Sequence, residues 1–124
     1  MNKISIIVPC YNEDAALPIY YKEMCKIMAQ MKEEEFELIF VDDGSTDHTL
    51  AEMKILHEKD ERCQYFSFSR NFGKEAAIYA GLKNATGEYA AIMDVDLQDP
   101  PSLLPKMYEI LQTEDYDSVA TRRS

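Results

Sequence analysis

The chain has 124 residues, of which 46% are hydrophobic and 29% are charged, a composition typical of one soluble globular domain. Thirteen Lys and Arg residues against 23 Asp and Glu residues give a formal net charge of −10. This charge argues against nucleic acid or anionic lipid as an electrostatic partner of the segment. No apolar run approaches the roughly 18 residues of a membrane-spanning helix. The N-terminus lacks the form of a signal peptide, so we expect this chain to be soluble and cytoplasmic.

Strand-like and helix-like segments alternate from the N-terminus. The apolar, β-branched run at residues 3–9 predicts a strand that is buried on both faces. Apolar residues then recur at helical spacing over residues 14–31, which predicts a helix. Residues 36–41 predict a second strand, and Leu50, Met53 and Leu56 mark the helix that follows it.

The same alternation continues through the second half of the chain. Residues 63–68 predict a third strand, residues 74–85 a helix with Gly87 as its C-terminal cap, and residues 88–93 a fourth strand. Asp99 and Pro100 have the pattern of an N-cap followed by the first helical residue. The next helix would present Leu104 and other apolar residues on one face, and residues 117–121 are a candidate fifth strand.

This alternation, without repeats or low-complexity linkers, predicts an α/β fold with a mostly parallel sheet and helices on both faces. Ligands of such sheets bind beyond the carboxyl ends of the strands, where loops and helix N-termini converge. Polar clusters stand at those predicted ends, at residues 11–13, 42–45, 70–74, 94–96 and 122–123. We therefore expect the functional site at that edge of the sheet.

Asp94 and Asp96 directly follow the fourth predicted strand. Alternate carboxylates on an extended segment point to the same side, so the two side chains can share one ligand. Gln98 adds a carbonyl oxygen, and an oxygen-only ligand set suits Mg²⁺ or Mn²⁺. Aspartates are also common in turns. We favour the metal because two adjacent carboxylates repel each other unless a cation joins them.

Two further clusters each allow two interpretations. Asp42 and Asp43 end the second strand before Gly44, where they either form an ordinary turn and helix start or accept hydrogen bonds from a nucleobase or a ribose. Arg70 and Lys74 stand at a strand-to-helix junction, where they either hold phosphate or form a solvated basic patch. We expect both histidines, His48 and His57, to be surface residues.

Together these motifs resemble those of family 2 glycosyltransferases, which have the nucleotide-sugar-binding GT-A fold. The resemblance rests on VPCYNE at residues 8–13, VDDGSTD at 41–47 and DVD at 94–96. RNFGK at 70–74 and DVDLQDPP at 94–101 are similar to the polyprenyl-phosphate glycosyltransferase branch, which is related to dolichyl-phosphate mannose synthase. The resemblance implies a UDP- or GDP-sugar donor, a Mg²⁺ or Mn²⁺ cofactor and a polyprenyl phosphate acceptor.

The resemblance also implies roles for individual residues. The residues that would line the nucleotide pocket are Pro9, Tyr11 and Glu13, and those that would hold the base are Asp43 and Asp42. Asp94 would approach the ribose and diphosphate, and the residues that would coordinate the metal are Asp96 and Gln98, with Asp94 beside them. The cations implied near the phosphates are Arg70, Lys74 and Arg122, although Ala120 replaces the usual glycine two residues before this last arginine.

The resemblance therefore implies metal-dependent, inverting transfer of a sugar to a polyprenyl phosphate. A lipid phosphate is already anionic at neutral pH and needs little help from a general base, whereas a saccharide hydroxyl, the acceptor in an alternative family 2 function, needs one. A non-catalytic nucleotide-binding module is a second alternative. Because family members extend well beyond 124 residues, we expect residues 1–124 to be the donor-binding part, with membrane attachment through segments absent from this chain.

Two other classes of α/β protein fit less well. A receiver domain needs a phosphoacceptor Asp on its third strand and a Lys at the end of its fifth, but those strands end in Phe68-Ser69-Arg70 and Thr121-Arg122. A nucleotidyltransferase usually has a glycine-rich loop after its first strand, and residues 9–13 contain no glycine.

Overall fold

The computed structural model of the protein describes residues 2–95 and 104–105. Strands and helices alternate in the order β1 (Lys3–Cys10), α1 (Ala16–Gln30), β2 (Glu35–Asp42), α2 (Thr49–Lys59), β3 (Cys63–Ser67), α3 (Lys74–Asn84) and β4 (Tyr89–Ile92). These bounds differ from the predicted ranges by at most two residues at either end. The helix predicted after Asp99 and the strand predicted at 117–121 lie outside the described residues, except that Leu104 and Pro105 have helical backbone.

The four strands form one sheet in the order β3-β2-β1-β4, and every pair of neighbours is parallel. The chain moves outward from β1 to β2 and β3, and α3 then carries it back to place β4 on the other side of β1. The strand order therefore reverses between β1 and β4. In open α/β sheets this reversal opens a crevice at the carboxyl edge, which is the usual ligand site.

Helices cover both faces of the sheet, as predicted. The helices α1 and α2 pack on one face against Ile4, Ile6 and Val8, while α3 packs on the other face against Ile39 and Val41. Residues 4–10 of β1 are all buried, because this central strand is covered on both faces. Each apolar side chain buried in this way stabilises the fold by about 1.5–3 kcal/mol.

The prediction that Gly87 caps α3 is wrong. The helix ends at Asn84, and the next residue, Ala85, is extended and donates its N–H to the carbonyl of Leu82 at 3.2 Å. Gly87 instead donates its N–H to Ser5 Oγ at 2.9 Å. A Cβ atom on this glycine would lie 2.6 Å from the Lys3 carbonyl oxygen, so the residue permits close approach to β1 rather than a left-handed cap.

A buried carboxylate on β2 joins the sheet near its amino-terminal edge. Glu37 is 3% exposed and accepts hydrogen bonds from Ser5 Oγ at 2.6 Å and from the Thr86 N–H at 2.7 Å. Burial raises the pKa of Glu37, but these hydrogen bonds outweigh it and hold the pKa below its ordinary value. The charged carboxylate thereby fixes the loop before β4 to β1 and β2.

Across residues 2–95 and 104–105, no helix combines the length and apolar character that crossing a bilayer requires.

Candidate functional site

The carboxyl edge of the sheet collects the predicted site residues that the structure describes. Because all four strands are parallel, the loops that follow them meet at this edge. The predicted residues at these strand ends are Tyr11 and Glu13 after β1, Asp42 and Asp43 after or at the end of β2, Arg70 and Lys74 after β3, and Asp94 after β4. Three others, Asp96, Gln98 and Arg122, lie outside the described residues, so their roles stay predictions.

Tyr11 and Asp94 follow β1 and β4, the two strands between which the strand order reverses. Tyr11 is 46% exposed, whereas Pro9 is buried within β1 and Glu13 is half-buried. The Glu13 N–H donates to Thr49 Oγ1 at 2.8 Å, which ties the loop after β1 to the start of α2. An exposed aromatic residue therefore stands on a tethered loop at the edge where ligands of such sheets bind.

An ion pair links the start of α3 to the end of β4. Lys74 Nζ lies 2.8 Å from Asp94 Oδ1, with the two side chains 57% and 22% exposed. Lys74 is the first residue of α3, so the positive end of this helix also lies near the Asp94 carboxylate. Ion pairs with this much solvent exposure contribute only about 0–1 kcal/mol, so an incoming charged ligand can separate the pair at low cost.

The Asp43 carboxylate holds the loop between β3 and α3. It is 4% exposed and accepts hydrogen bonds from the Phe72 N–H at 2.8 Å, the Gly73 N–H at 3.1 Å and Asn71 Nδ2 at 3.2 Å. Two of these donors, the Phe72 N–H and the N–H of the α3 N-cap residue Gly73, stand just before the first turn of the helix, so Asp43 fixes the chain where it enters α3. Asp43 therefore sets where the basic loop stands.

Asp42 stabilises the turn that follows β2. Its carboxylate accepts hydrogen bonds from the Ser45 N–H at 2.9 Å and from Ser67 Oγ at 3.0 Å, and the residue is 2% exposed. Asp47 continues the turn and accepts the Thr49 N–H at 2.9 Å. Burial raises the pKa of Asp47, but hydrogen bonds from Thr49 outweigh burial and keep the pKa below its ordinary value. The turn and helix-start interpretation is thus confirmed, while a ligand role for Asp42 stays a prediction.

Cys10 and the two histidines differ in their environments. Burial, together with the nearby carboxylates of Glu13, Asp42 and Asp94, raises the pKa of the Cys10 thiol, so it stays protonated. His48 and His57 are exposed, as predicted. Within the two described stretches, no three His, Cys, Asp or Glu side chains converge as metal ligands.

A concave surface lies at the amino-terminal edge, opposite the predicted site. This cleft of about 560 Å³ is lined by the first residues of β1 and β2 and by the end of α1, among them Lys3, Met31, Phe36 and Arg62. Its charged residues are of both signs and none belongs to the motifs at the carboxyl edge. We call it the amino-edge cleft.

Gly44 provides a test of the packing between the two central loops. Its φ is +74°, and a Cβ atom would lie 2.2 Å from the Arg70 carbonyl carbon. Gly73 has φ +108° but has open space around its Cβ position. Both Gly→Ala changes introduce backbone strain, which costs about 1–3 kcal/mol, but only Gly44→Ala also pushes the loops apart. We expect urea unfolding to show a larger decrease in the free energy of unfolding for Gly44→Ala than for Gly73→Ala. An equal or smaller decrease for Gly44→Ala would contradict this packing.

The Asp43 anchor predicts a local change in amide exchange. Asp43→Asn replaces one acceptor oxygen with an amide group that cannot accept, so the Phe72 and Gly73 amides lose charged partners. Hydrogen bonds to charged groups are worth about 1.5–3 kcal/mol, so we expect exchange of these two amides to accelerate about tenfold or more. Asp60→Asn is the control, since that carboxylate bonds Arg62 and Tyr21 elsewhere. Unchanged exchange in Asp43→Asn would refute the anchor.

Comparison with known proteins confirms the predicted family. The chain belongs to glycosyl transferase family 2, whose family model matches residues 5–124. A prophage bactoprenol glucosyl transferase homolog of Escherichia coli K12 is 43% identical over 122 residues, which cover 98% of this chain and 39% of that protein. An undecaprenyl-phosphate 4-deoxy-4-formamido-L-arabinose transferase of Proteus mirabilis is 39% identical over 127 residues, which cover 99% of this chain and 37% of that protein. The chain thus spans about two fifths of the length of these relatives.

The likeness extends to a solved structure. A mannosyltransferase from Pyrobaculum calidifontis, determined in complex with GDP-Man and Mn²⁺, superposes with a TM-score of 0.71 at 24% sequence identity. The matched region covers 89% of this chain and 32% of the mannosyltransferase. The predicted fold, a mostly parallel sheet with helices of the GT-A type, is therefore confirmed.

Proposed function

We propose that this chain is the donor-binding part of a longer, metal-dependent, inverting glycosyltransferase that moves a sugar from a UDP- or GDP-sugar to a polyprenyl phosphate. The observation that carries the proposal is the reversal of strand order between β1 and β4, with the exposed Tyr11 in the loop after β1 and the Asp94–Lys74 ion pair after β4. Membership of family 2 and relatives described as bactoprenol and undecaprenyl-phosphate transferases support it.

The nucleotide would lie against the loops after β1 and β2. The exposed ring of Tyr11 offers a surface on which a base can stack, a contact worth about 1–3 kcal/mol in nucleic-acid complexes. Pro9 and Glu13 would complete this pocket, and Asp42 and Asp43 would hold the base. The Asp43 carboxylate already accepts hydrogen bonds from three donors of the loop that carries Arg70, so a base N–H would share this carboxylate with the loop.

The diphosphate would lie towards the N-terminus of α3. Lys74 and Arg70 bring positive charge to this edge of a chain whose net charge is −10, and the first amides of a helix favour anions. Lys74 can exchange Asp94 for a phosphate at low cost, because the ion pair is solvent-exposed. Arg122 would add a third cation.

The donor chemistry of this edge suits a hard divalent cation. The Asp94 carboxylate already faces a positive charge in the structure, and the other proposed ligands, Asp96 and Gln98, also offer oxygen atoms. Bound there, Mg²⁺ or Mn²⁺ would supply Lewis-acid stabilisation of the diphosphate charge.

Transfer to a phosphate acceptor needs little base catalysis from the protein. The acceptor monoester is largely ionised at neutral pH, so its oxygen can attack the anomeric carbon from the side opposite the leaving nucleoside diphosphate, which inverts that centre. Two anions brought to about 4 Å repel by roughly 4 kcal/mol at the effective dielectric constant near a protein surface. The proposed role of Arg70, Lys74 and Arg122 is to offset this repulsion.

The full-length protein that contains this chain tests the proposal. Membranes that contain this protein are incubated with radiolabelled UDP- or GDP-sugars, in the presence of Mn²⁺ or of EDTA. The acceptor is either undecaprenyl phosphate or a saccharide with free hydroxyl groups. We expect metal-dependent label in the lipid fraction.

We also expect Lys74→Met to slow transfer at least tenfold, because it removes a cation from the diphosphate region. Lys22→Met, on the exposed side of α1, serves as the matched control and should leave the rate of transfer unchanged. Label in the saccharide alone would refute a lipid phosphate acceptor, and undiminished transfer in EDTA would refute metal dependence.

A further inference from the structure

Asn12 has an unusual backbone conformation beside the proposed nucleotide pocket. Its φ is +53°, and it is the one non-glycine residue with positive φ within residues 2–95 and 104–105. Most residues with a Cβ atom disfavour this left-handed region, whereas Asn and Asp enter it more readily because their short polar side chains can hydrogen-bond locally. Contacts with the rest of the protein must therefore stabilise this backbone conformation of Asn12.

Reciprocal hydrogen bonds between Asn12 and the loop after β2 stabilise the turn at Asn12. The Asn12 N–H donates to Ser45 Oγ at 2.9 Å, and Asn12 Oδ1 accepts the Thr46 N–H at 2.8 Å. The two partners lie more than 30 positions along the chain, so the contact joins separate loops rather than closing a local turn. We call this pair of hydrogen bonds the Asn12 latch.

The latch fixes the backbone on the C-terminal side of Tyr11. On the N-terminal side, the Cys10 carbonyl accepts the Asp43 N–H at 2.9 Å. Tyr11 therefore lies between two residues that are both bonded to the loop after β2, while its own side chain is 46% exposed. Because the ring is carried by this fixed stretch of backbone, the two attachments set the direction in which Tyr11 leaves the chain.

We propose that Asn12 is a positioning residue that orients Tyr11 for stacking on the nucleotide base. This inference rests on the proposed nucleotide-binding function. A loop held in its binding conformation avoids the ordering cost that a free loop pays on association, so the latch increases affinity without touching the ligand. Because the base is remote from the reacting bond, Asn12 should affect donor binding and KM far more than kcat.

Three substitutions separate the backbone turn from the latch. Asn12→Asp keeps the Oδ1 acceptor and tolerates positive φ. Asn12→Gly keeps the turn and the backbone hydrogen bond to Ser45 but loses the side-chain hydrogen bond to Thr46, and Asn12→Ala loses that bond and strains the turn as well. We expect calorimetric Kd values for UDP and GDP, measured on this chain with Mn²⁺, to rise about tenfold for Asn12→Ala, less for Asn12→Gly and least for Asn12→Asp. The rate of hydrogen exchange at the Thr46 amide should increase in the same order, most for Asn12→Ala and least for Asn12→Asp.

Inorganic pyrophosphate and a double substitution distinguish positioning from a general structural effect. Pyrophosphate has no base, so its affinity should stay constant in all three variants. In a Tyr11→Ala background, Asn12→Ala should cause no further loss of UDP affinity, because the ring it positions is gone. Asn84→Ala is the matched control, since the Asn84 side chain bonds the Ala80 carbonyl at the far end of α3.

The outcomes separate failure of the inference from failure of the proposed function. If the unsubstituted chain binds neither UDP nor GDP with Mn²⁺, the nucleotide-binding function is refuted, and the inference falls with it. The positioning role alone is overturned if the chain binds nucleotide but Asn12→Ala lowers the affinities for UDP and pyrophosphate equally. It is also overturned if Asn12→Ala lowers UDP affinity as much in the Tyr11→Ala background as in the unsubstituted chain. Should Asn12→Ala fail to fold, Asn12→Gly carries the same comparison, because its backbone turn is unstrained.

Discussion

The reversal of strand order between β1 and β4 is the constraint on which the rest of the structure depends. Parallel pairing brings the carboxyl ends of all four strands to one edge, and in open α/β sheets ligands bind at that edge where the strand order reverses. Tyr11 and Asp94 stand in the two loops that follow the strands at the reversal. The placement of α3 on the opposite face from α1 follows from the same reversal, and it brings Lys74 to Asp94.

Within this frame, an acidic chain prepares a site for an anionic ligand by using its own carboxylates to place its cations. Asp43 accepts backbone N–H groups from the loop that carries Arg70, and Asp94 pairs with Lys74. A net charge of −10 would otherwise repel a diphosphate. Under the proposed function, the exposed Lys74–Asp94 pair is the part of this arrangement that exchanges partners when donor and metal arrive, while the buried Asp43 contacts stay in place.

The sequence predicted those features that depend on local patterning. The continuous apolar runs of β1 and β2 identify strands that are buried on both faces, and the helical spacing of apolar residues in α1 identifies a helix that is buried on one face. The Gly87 prediction failed because this position requires glycine for close contact with Lys3 and Ser5, which lie on a strand distant in sequence, and not for a helix cap. The contacts of Asp43 with Phe72 and of Asn12 with Thr46 each join positions about 30 residues apart, and no local pattern records which polar groups will meet. The one available signal for the latch was the preference of Asn for left-handed backbone.

Nuclear magnetic resonance of the ¹⁵N-labelled chain, titrated with UDP or GDP and then with Mn²⁺, tests most directly whether the carboxyl edge is the nucleotide site. The account predicts amide shifts confined to the loops around Tyr11, Asp43, Lys74 and Asp94, followed by paramagnetic broadening centred on Asp94 when Mn²⁺ is added. Shifts centred instead on the amino-edge cleft, at Lys3, Phe36 and Arg62, or broadening without any loss of signal at Asp94, would contradict it.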